Sequence, residues 1–196
     1  GDELITFLDS DDKLADDAME KAVQYFDAHE DVFVAAIGIR YFDAYEGEQR
    51  LNWRFEKTDV VDIKRDYTYP HYYVGGVFLR HAVLDELHFD ESLSFWEDAL
   101  AVNQVIVSQG KYGLIAGTHY YYRKREDESS LVDTAWHKKE RYTTLLSSGY
   151  GQLFAYSRKK HHRIIPYVQY MVAYHMRLMM MKSKQSIIEE ILSEEE

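Results

Sequence analysis

Apolar and polar positions along this chain fall into two repeating patterns, one typical of strands and one typical of helices. The apolar run at residues 5–8 predicts a short buried strand, and the nearly continuous apolar residues 32–43 predict another. Between these strands, apolar side chains recur at helical spacing, at Leu14, Ala18, Ala22, Tyr25 and Phe26. We expect Asp11 or Asp12 to cap the start of this helix.

The same alternation continues through the middle of the chain. It predicts a strand at residues 77–80, a short helix at residues 81–87, and a longer helix that begins near Glu97. A strand follows at residues 111–115, and the tyrosine-rich stretch after it predicts one more strand that runs into a charged loop.

From about residue 133 onward the pattern is helical. Strands interleaved with helices therefore predict an α/β domain at residues 1–132, followed by a helical extension at residues 133–196. The hydrophobic content of 46% and the aromatic content of 15% are typical of a chain with a packed core rather than a disordered one.

Charge and composition exclude several classes of function. The formal net charge of -11 argues against a nucleic-acid partner, because binding to the phosphate backbone requires clustered Lys and Arg. The chain has no cysteine, which excludes disulfides and agrees with a cytoplasmic location. No apolar run reaches the roughly 20 residues that a transmembrane helix needs. The chain starts at Gly1 and enters a strand at once, so we expect it to be part of a longer protein.

The first strand ends in an acidic turn, which raises the main chemical question. Asp9, Asp11 and Asp12 bring three carboxylates within four residues, and such groups raise one another's pKa unless a cation or hydrogen-bond donors compensate. They form either a metal site or a set of helix-capping residues. A calcium-binding EF-hand loop is excluded, because its sixth position is Leu14 and not glycine. A phosphatase-type D-x-D-x-[TV] motif is disfavoured by Lys13.

Three motifs occur in an order that resembles the bacterial family 2 glycosyltransferases, which have the GT-A fold. They are "FLDSDDKL", which contains the D-x-D sequence Asp9-Ser10-Asp11, then "FDESLSFWEDALAVNQVI", which contains the pair Glu97-Asp98, and finally "YYYRKREDESSLV". The resemblance implies a partial GT-A fold over about residues 1–132, without the N-terminal half that supplies most of the nucleobase pocket. The helical tail resembles, more faintly, the segment after such domains in proteins that build teichoic acids or other surface polysaccharides.

The resemblance also implies which residues bind the donor. Asp11 is expected to bind a divalent metal, Mn²⁺ or Mg²⁺, and Asp9 to contact the metal or the ribose. Arg123, Arg125 and Ser129 are expected to bind the donor diphosphate, since Arg forms bidentate contacts with phosphate oxygens. A solvated charged loop is the alternative interpretation of the two arginines.

The same resemblance assigns the acceptor side of the reaction. Asp98 is expected to be the base that deprotonates the acceptor hydroxyl in a direct displacement with inversion, and Glu97 is expected to orient it. Trp96 is expected to stack on the acceptor sugar. Without the resemblance, Glu97 and Asp98 would be interpreted as acidic residues of the first helical turn, where the helix dipole favours them.

Together these features predict an inverting, metal-dependent glycosyltransferase. Its donor would be a UDP-sugar or another nucleoside-diphosphate sugar, and its acceptor a cell-surface saccharide or polyol phosphate. The alternative is a non-catalytic, degenerate or truncated domain that keeps the fold. The basic residues 157–163 beside a Met-rich helix fit either peripheral contact with the inner face of the membrane or packing against another domain, which we favour. An exposed half-sheet would favour a homo-oligomer.

Overall fold

The predicted strands form one mixed sheet in the computed structural model, which describes residues 3–126 and 134–192. The strands are β1 (Leu4–Thr6), β2 (Lys13–Leu14), β3 (Val34–Asp43), β4 (Gly47–Glu48), β5 (Val60–Asp62), β6 (Val77–Arg80) and β7 (Lys111–Lys124). The main path through the sheet is β1-β6-β3-β7-β2, with β4 beside β3 and β5 beside β7. Strands β3 and β7 are parallel, and the other pairs are antiparallel.

The described residues also contain five α-helices and several shorter helical segments. The α-helices are α1 (Ala18–Ala28), α2 (Glu97–Gln109), α3 (Gly151–His161), α4 (Pro166–Met179) and α5 (Lys182–Ile191). Short 3-10 helices lie at Asn52–Glu56, His81–Glu86, Ala135–His137 and Lys139–Arg141, and a π-helical segment at Leu145–Tyr150 leads into α3. Local signals set two boundaries: α2 ends at Gly110, whose φ is +77°, and α4 begins with Pro166.

Strand β3 is buried because both of its faces are covered. Val34 and Ala36 belong to a core formed with α2 and the C-terminal helices, whereas Ala35 and Ile37 belong to a core formed with α1. Side chains alternate between the faces of a strand, so a strand covered on both faces is apolar at nearly every position. This explains the uninterrupted apolar run in the sequence.

The C-terminal helices pack directly on the α/β part of the chain. Helix α4 buries Tyr167, Val168 and Met171 in the core that also contains most of α2, whereas the basic residues at the end of α3 are mostly exposed. The predicted α/β class and the helical C-terminal section are therefore confirmed. In the described part of the chain, no helix is both long and apolar enough to cross a membrane.

Two predictions about local structure need correction. Helix α1 begins at Ala18 with Asp17 in the N-cap position, so the expected capping by Asp11 or Asp12 is wrong. The residues before α1 instead form β2, in which Leu14 pairs with Tyr120 of β7. The strand predicted at residues 111–115 is only the first part of β7, which continues through the tyrosine-rich stretch.

A substitution at Gly76 tests how closely the sheet is packed beside the acidic turn. Its φ is +74°, and an added Cβ would lie 2.8 Å from Tyr120 Cβ and 3.0 Å from Ile37 Cγ1. We expect Gly76→Ala to lower the free energy of unfolding by roughly 2–3 kcal/mol, through left-handed backbone strain and overpacking. Urea denaturation measures this change.

Gly110→Ala is the matched control for this prediction. Gly110 has a similar φ of +77°, but an added Cβ would meet no atom within 4 Å. This variant should show the backbone strain alone, about 1 kcal/mol. Equal losses in the two variants would contradict the expected contact with Tyr120 and Ile37.

Candidate active site

The carboxyl ends of β1, β3 and β7 meet at one edge of the sheet. Strand β1 is antiparallel to β6, β6 is antiparallel to β3, and β3 is parallel to β7, so these three strands point the same way. In open α/β sheets, ligands bind in the crevice at the carboxyl ends of strands. The acidic turn follows β1 and the basic residues end β7, so the topology brings the first and last motifs together.

A cleft of about 540 Å³ opens at this edge, and the start of α2 forms its other wall. Seven of the eight predicted site residues line the cleft: Asp9, Asp11, Trp96, Glu97, Asp98, Arg123 and Arg125. The eighth, Ser129, lies outside the described residues. Residues far apart in sequence therefore share one cleft, whereas their individual roles remain predictions.

The acidic turn is fixed to β7 by Asp12 and Tyr120. The backbone N–H of Asp9 donates to Tyr120 Oη at 3.2 Å. Asp12 Oδ1 accepts the backbone N–H of Arg123 at 2.8 Å, whereas its Oδ2 is enclosed and has no hydrogen-bond partner among the described residues. Burial raises the pKa of Asp12 above its ordinary value, although the N–H of Arg123 and the hydroxyl of Tyr120 oppose the shift. Sequence reasoning missed this tether, for which the third carboxylate in the turn was the only local signal.

The two arginines at the end of β7 are paired with carboxylates. Arg125 Nη2 lies 2.5 Å from Asp11 Oδ2, and Arg123 Nε lies 2.6 Å from Asp43 Oδ2. The hydrogen bond to Asp43 raises the pKa of Arg123, and its charge acts in the same direction. Both ion pairs are partly exposed, so a ligand can replace either partner at little cost in free energy.

Asp98 lies in the first turn of α2 and has an unusual environment. Its Oδ1 accepts the N–H of Ala99 at 2.6 Å, and the carboxylate also accepts the N–H of Val74. Burial raises its pKa to about 7, and the nearby charges of Glu97 and Asp9 add to the increase. Asp9 thus acts electrostatically on Asp98 across the cleft. A carboxyl group with a pKa near the working pH is suited to accept and release a proton.

Trp96 lies at the cleft but presents little of its ring to a ligand. Its side chain is only 4% exposed and packs on Tyr150 and His175, with ring centroids 5.0 and 5.8 Å away. Phe95 and Phe89, which also line the cleft, are more accessible. The predicted stacking of Trp96 on an acceptor sugar remains a prediction. The backbone of Trp96 has a φ of +74° at the N-cap of α2, which turns the chain sharply before Glu97.

Three tyrosines also line the cleft: Tyr41, Tyr73 and Tyr122. Tyr41 and Tyr122 are paired in register on β3 and β7, with ring centroids 6.0 Å apart. Tyr73 Oη accepts a hydrogen bond from Gln49 Nε2 at 2.9 Å, and burial raises the pKa of Tyr73. They give the cleft a wall of aromatic rings and hydroxyl groups, which is the chemistry that sugars and nucleobases require.

The donor set at the acidic turn fits a hard divalent cation only in part. Within residues 3–126 and 134–192, no group of three or more His, Cys, Asp or Glu side chains could hold a metal ion by itself. Mg²⁺ and similar cations often bind through one or two carboxylates and complete their shell with phosphate oxygens and water. Asp9 and Asp11 are suited to that arrangement.

Comparison with known proteins agrees with the motifs. The model of the family "Glycosyl transferase family 2" matches residues 1–88 of this chain. The chain is 39% identical over 194 residues to minor teichoic acid biosynthesis protein GgaA of Bacillus subtilis (strain 168), covering 98% of this chain and 44% of that protein. It is 31% identical over 177 residues to GgaB of the same organism, covering 88% of this chain and 19% of GgaB.

The chain therefore spans less than half the length of the curated relatives it matches. Among solved structures, S. aureus TarS 1–349 has a TM-score of 0.49 and 19% sequence identity, covering 80% of this chain and 48% of that chain. Residues 1–88 are therefore similar to a glycosyltransferase family 2 domain, and most of the chain is similar to part of two teichoic acid biosynthesis proteins.

Proposed function

We propose that this chain forms the metal-binding and acceptor-binding part of an inverting glycosyltransferase. The sugar would move from a nucleoside-diphosphate donor, such as a UDP-sugar, to a teichoic-acid-like or other cell-surface acceptor. One observation supports this most: the D-x-D pair Asp9 and Asp11 shares a cleft with Glu97 and Asp98, although the two motifs are far apart in sequence. The names of the two curated relatives support the acceptor class.

The chemistry of transfer assigns a task to each end of the cleft. The acceptor oxygen attacks the anomeric carbon, the bond from that carbon to the diphosphate oxygen breaks, and the hydroxyl proton moves to Asp98. The charge of Glu97 adds to the effect of burial and helps to keep the pKa of Asp98 high. Arg123 and Arg125 exchange their carboxylate partners for phosphate oxygens of the donor.

Asp9 and Asp11 would hold Mn²⁺ or Mg²⁺, which when bound supplies Lewis-acid stabilisation of the leaving diphosphate. Arg125 neutralises Asp11 in the structure described here. Its release on metal binding would leave the guanidinium free beside the donor phosphates. Nucleotide sugars and lipid-linked acceptors meet at the cytoplasmic face of the membrane, where we expect this enzyme to act.

Thermal stability with Mn²⁺ and UDP tests the proposal. We expect the two together to stabilise the chain more than either alone, by about 2.7 kcal/mol when the ligand is at 100 times its Kd. Asp11→Ala should abolish the joint effect, and should itself change stability by less than about 1 kcal/mol, because the ion pair to Arg125 is exposed.

Asp16→Ala is the matched control, since Asp16 is an exposed carboxylate near the same turn. This variant should respond to Mn²⁺ and UDP as the unchanged chain does. Stabilisation that survives in Asp11→Ala would place the metal elsewhere. A complete absence of joint stabilisation in the unchanged chain would favour the alternative, a domain that keeps the fold without binding a metal-nucleotide.

A further inference from the structure

Arg141 is buried, and no carboxylate among residues 3–126 and 134–192 is paired with it. Its side chain is 2% exposed, and Nε and Nη1 are enclosed and have no hydrogen-bond acceptor among the residues that the structure describes. The guanidinium lies between two aromatic rings, 3.7 Å from the centroid of Trp136 and 4.3 Å from that of Phe95. Burial lowers the pKa of Arg141 to about 10. Buried arginines are normally paired with carboxylates, so this one is unusual.

A second unpaired donor lies in the same cluster of side chains. The indole Nε1 of Trp96 is buried and has no acceptor within the described part of the chain. Trp96 follows Phe95 in sequence, and both rings pack against His175, at centroid distances of 5.8 and 6.0 Å. The positive charge of Arg141 also acts on His175, whose pKa burial and this charge lower to about 3. One cluster thus contains three enclosed N–H donor groups, and none of them is bonded to an acidic side chain of the described residues.

The composition of the chain makes the missing partner informative. The sequence contains 34 Asp and Glu residues and has a net charge of -11, so carboxylates are abundant. None of those described is paired with Arg141. Guanidinium and indole groups are donors only, and guanidinium matches the oxygens of a phosphoryl group with two parallel hydrogen bonds. A ligand that supplies such oxygens would complete the hydrogen bonds and neutralise the charge.

Phe95 connects this cluster to the cleft. Its ring lines the cleft and also lies against the guanidinium of Arg141, and Trp96 lines the cleft as well. The ring of Phe95 is partly exposed, and it separates the cleft from the guanidinium of Arg141. The donors therefore lie directly behind the wall that a bound substrate would contact.

We propose that Arg141 and the Trp96 indole N–H form an oxyanion site behind Phe95, which binds a phosphoryl group of the substrate. The chemical class of the ligand follows from the donors alone. The source of the phosphoryl group rests on the proposed function, because it is either the diphosphate of the donor or a phosphate of the acceptor. Arg141 is thus a binding residue that is preformed for an anion.

Phosphate binding and stability of Arg141→Met and Arg141→Lys test the proposal. Removing an uncompensated buried charge should leave the melting temperature of Arg141→Met without phosphate equal to or above that of the unchanged chain. Its affinity for inorganic phosphate, measured by calorimetry and by thermal shift, should fall about tenfold or more. Arg141→Lys keeps the charge without the planar fork and should bind with intermediate affinity. Arg158→Met removes an exposed arginine and should bind phosphate normally.

The opposite pattern would overturn the proposal. A purely structural Arg141, which only holds Phe95 and Trp136, predicts a lower melting temperature for Arg141→Met and unchanged affinity for phosphate in Arg141→Lys. If Arg141→Met does not fold, the phosphate affinity of Arg141→Lys alone decides, and an unchanged value rejects the site.

Two further ligands identify the source of the phosphoryl group. A weaker response of Arg141→Met to Mn²⁺ with UDP assigns the site to the donor, and a weaker response to glycerol 3-phosphate assigns it to the acceptor. Asp11→Ala separates this inference from the proposed function. It should lose the response to Mn²⁺ with UDP and keep the response to inorganic phosphate, whereas loss of both would mean that the two sites are one.

Discussion

Asp98→Asn is expected to lower the rate of sugar transfer by two to four orders of magnitude, the contribution typical of a general base. Asparagine keeps the size of the side chain but cannot accept the acceptor's proton. The Michaelis constant for the donor should change little, because the role proposed for Asp98 is to deprotonate the acceptor. In the unchanged protein, kcat/KM should rise with pH, reach half of its maximum near pH 7 and level off above that, since the pKa of Asp98 is about 7.

Although it lowers the rate, the same substitution should make the folded chain more stable. The pKa of Asp98 is about 7 in the folded chain and about 3.9 in an unfolded one, so ionisation of this group opposes folding. The penalty is absent below about pH 4, grows as the pH rises to 7, and is complete above that. Asp98→Asn should therefore have the same melting temperature as the unchanged chain at pH 4. At pH 8 its free energy of unfolding should be higher, by up to about 4 kcal/mol.

Asp16→Asn is the control for both effects, because it removes a carboxylate that is exposed to solvent. It should alter neither the rate nor the pH dependence of stability. A rate within tenfold of normal for Asp98→Asn would remove Asp98 from the role of base. Equal stability of Asp98→Asn and the unchanged chain at pH 8 would show that ionisation of Asp98 does not oppose folding.

Asn103→Ala should cause the second large change, a loss of about 3–5 kcal/mol in the free energy of unfolding. Asn103 is completely buried on α2. Its Nδ2 donates to the carbonyls of His71 and Ala99 at 2.8 and 2.7 Å, and its Oδ1 accepts the Tyr167 hydroxyl at 2.8 Å. The substitution leaves a cavity and two polar groups of other elements without partners, since the carbonyl of Ala99 is also part of the helix.

Guanidinium denaturation measures this change, with Gln104→Ala as the control on the same helix. Gln104 is more exposed, so its substitution should change stability by less than about 0.5 kcal/mol. Because Tyr167 belongs to α4, the Asn103 variant also reports whether the C-terminal helices unfold together with the α/β part. Two separate transitions in Asn103→Ala would show that they do not.

Local sequence patterns correctly predicted the helices and strands whose burial is visible in the spacing of apolar residues. The start of α2 at Glu97, the strand at Val77–Arg80 and the buried face of α1 were all correct, because amphipathic spacing and apolar runs express burial directly. Strand β2 was missed because two residues carry no periodic signal. Leu14 fitted the helical spacing equally well, and only its pairing with Tyr120 assigns it to the sheet.

The candidate site was predictable where its residues belong to short sequence motifs. The acidic turn, the Glu97-Asp98 pair and the two arginines could each be found, and the structure brings them into one cleft. Asp12 and Arg141 could not be found in the same way. The hydrogen bond of Asp12 to the backbone of Arg123 and the aromatic enclosure of Arg141 depend on contacts between distant residues, and no spacing rule describes these.

The pairing of β2 with β7 also determines when the cleft can exist during synthesis of the protein. Lys13 and Leu14 pair with Tyr121 and Tyr120, so the ribosome adds more than a hundred residues between the two partners. At ordinary elongation rates this interval is on the order of ten seconds. Throughout it the three carboxylates of the turn have neither Tyr120 nor the arginines beside them. The acidic turn therefore takes its final shape only after β7 has been made.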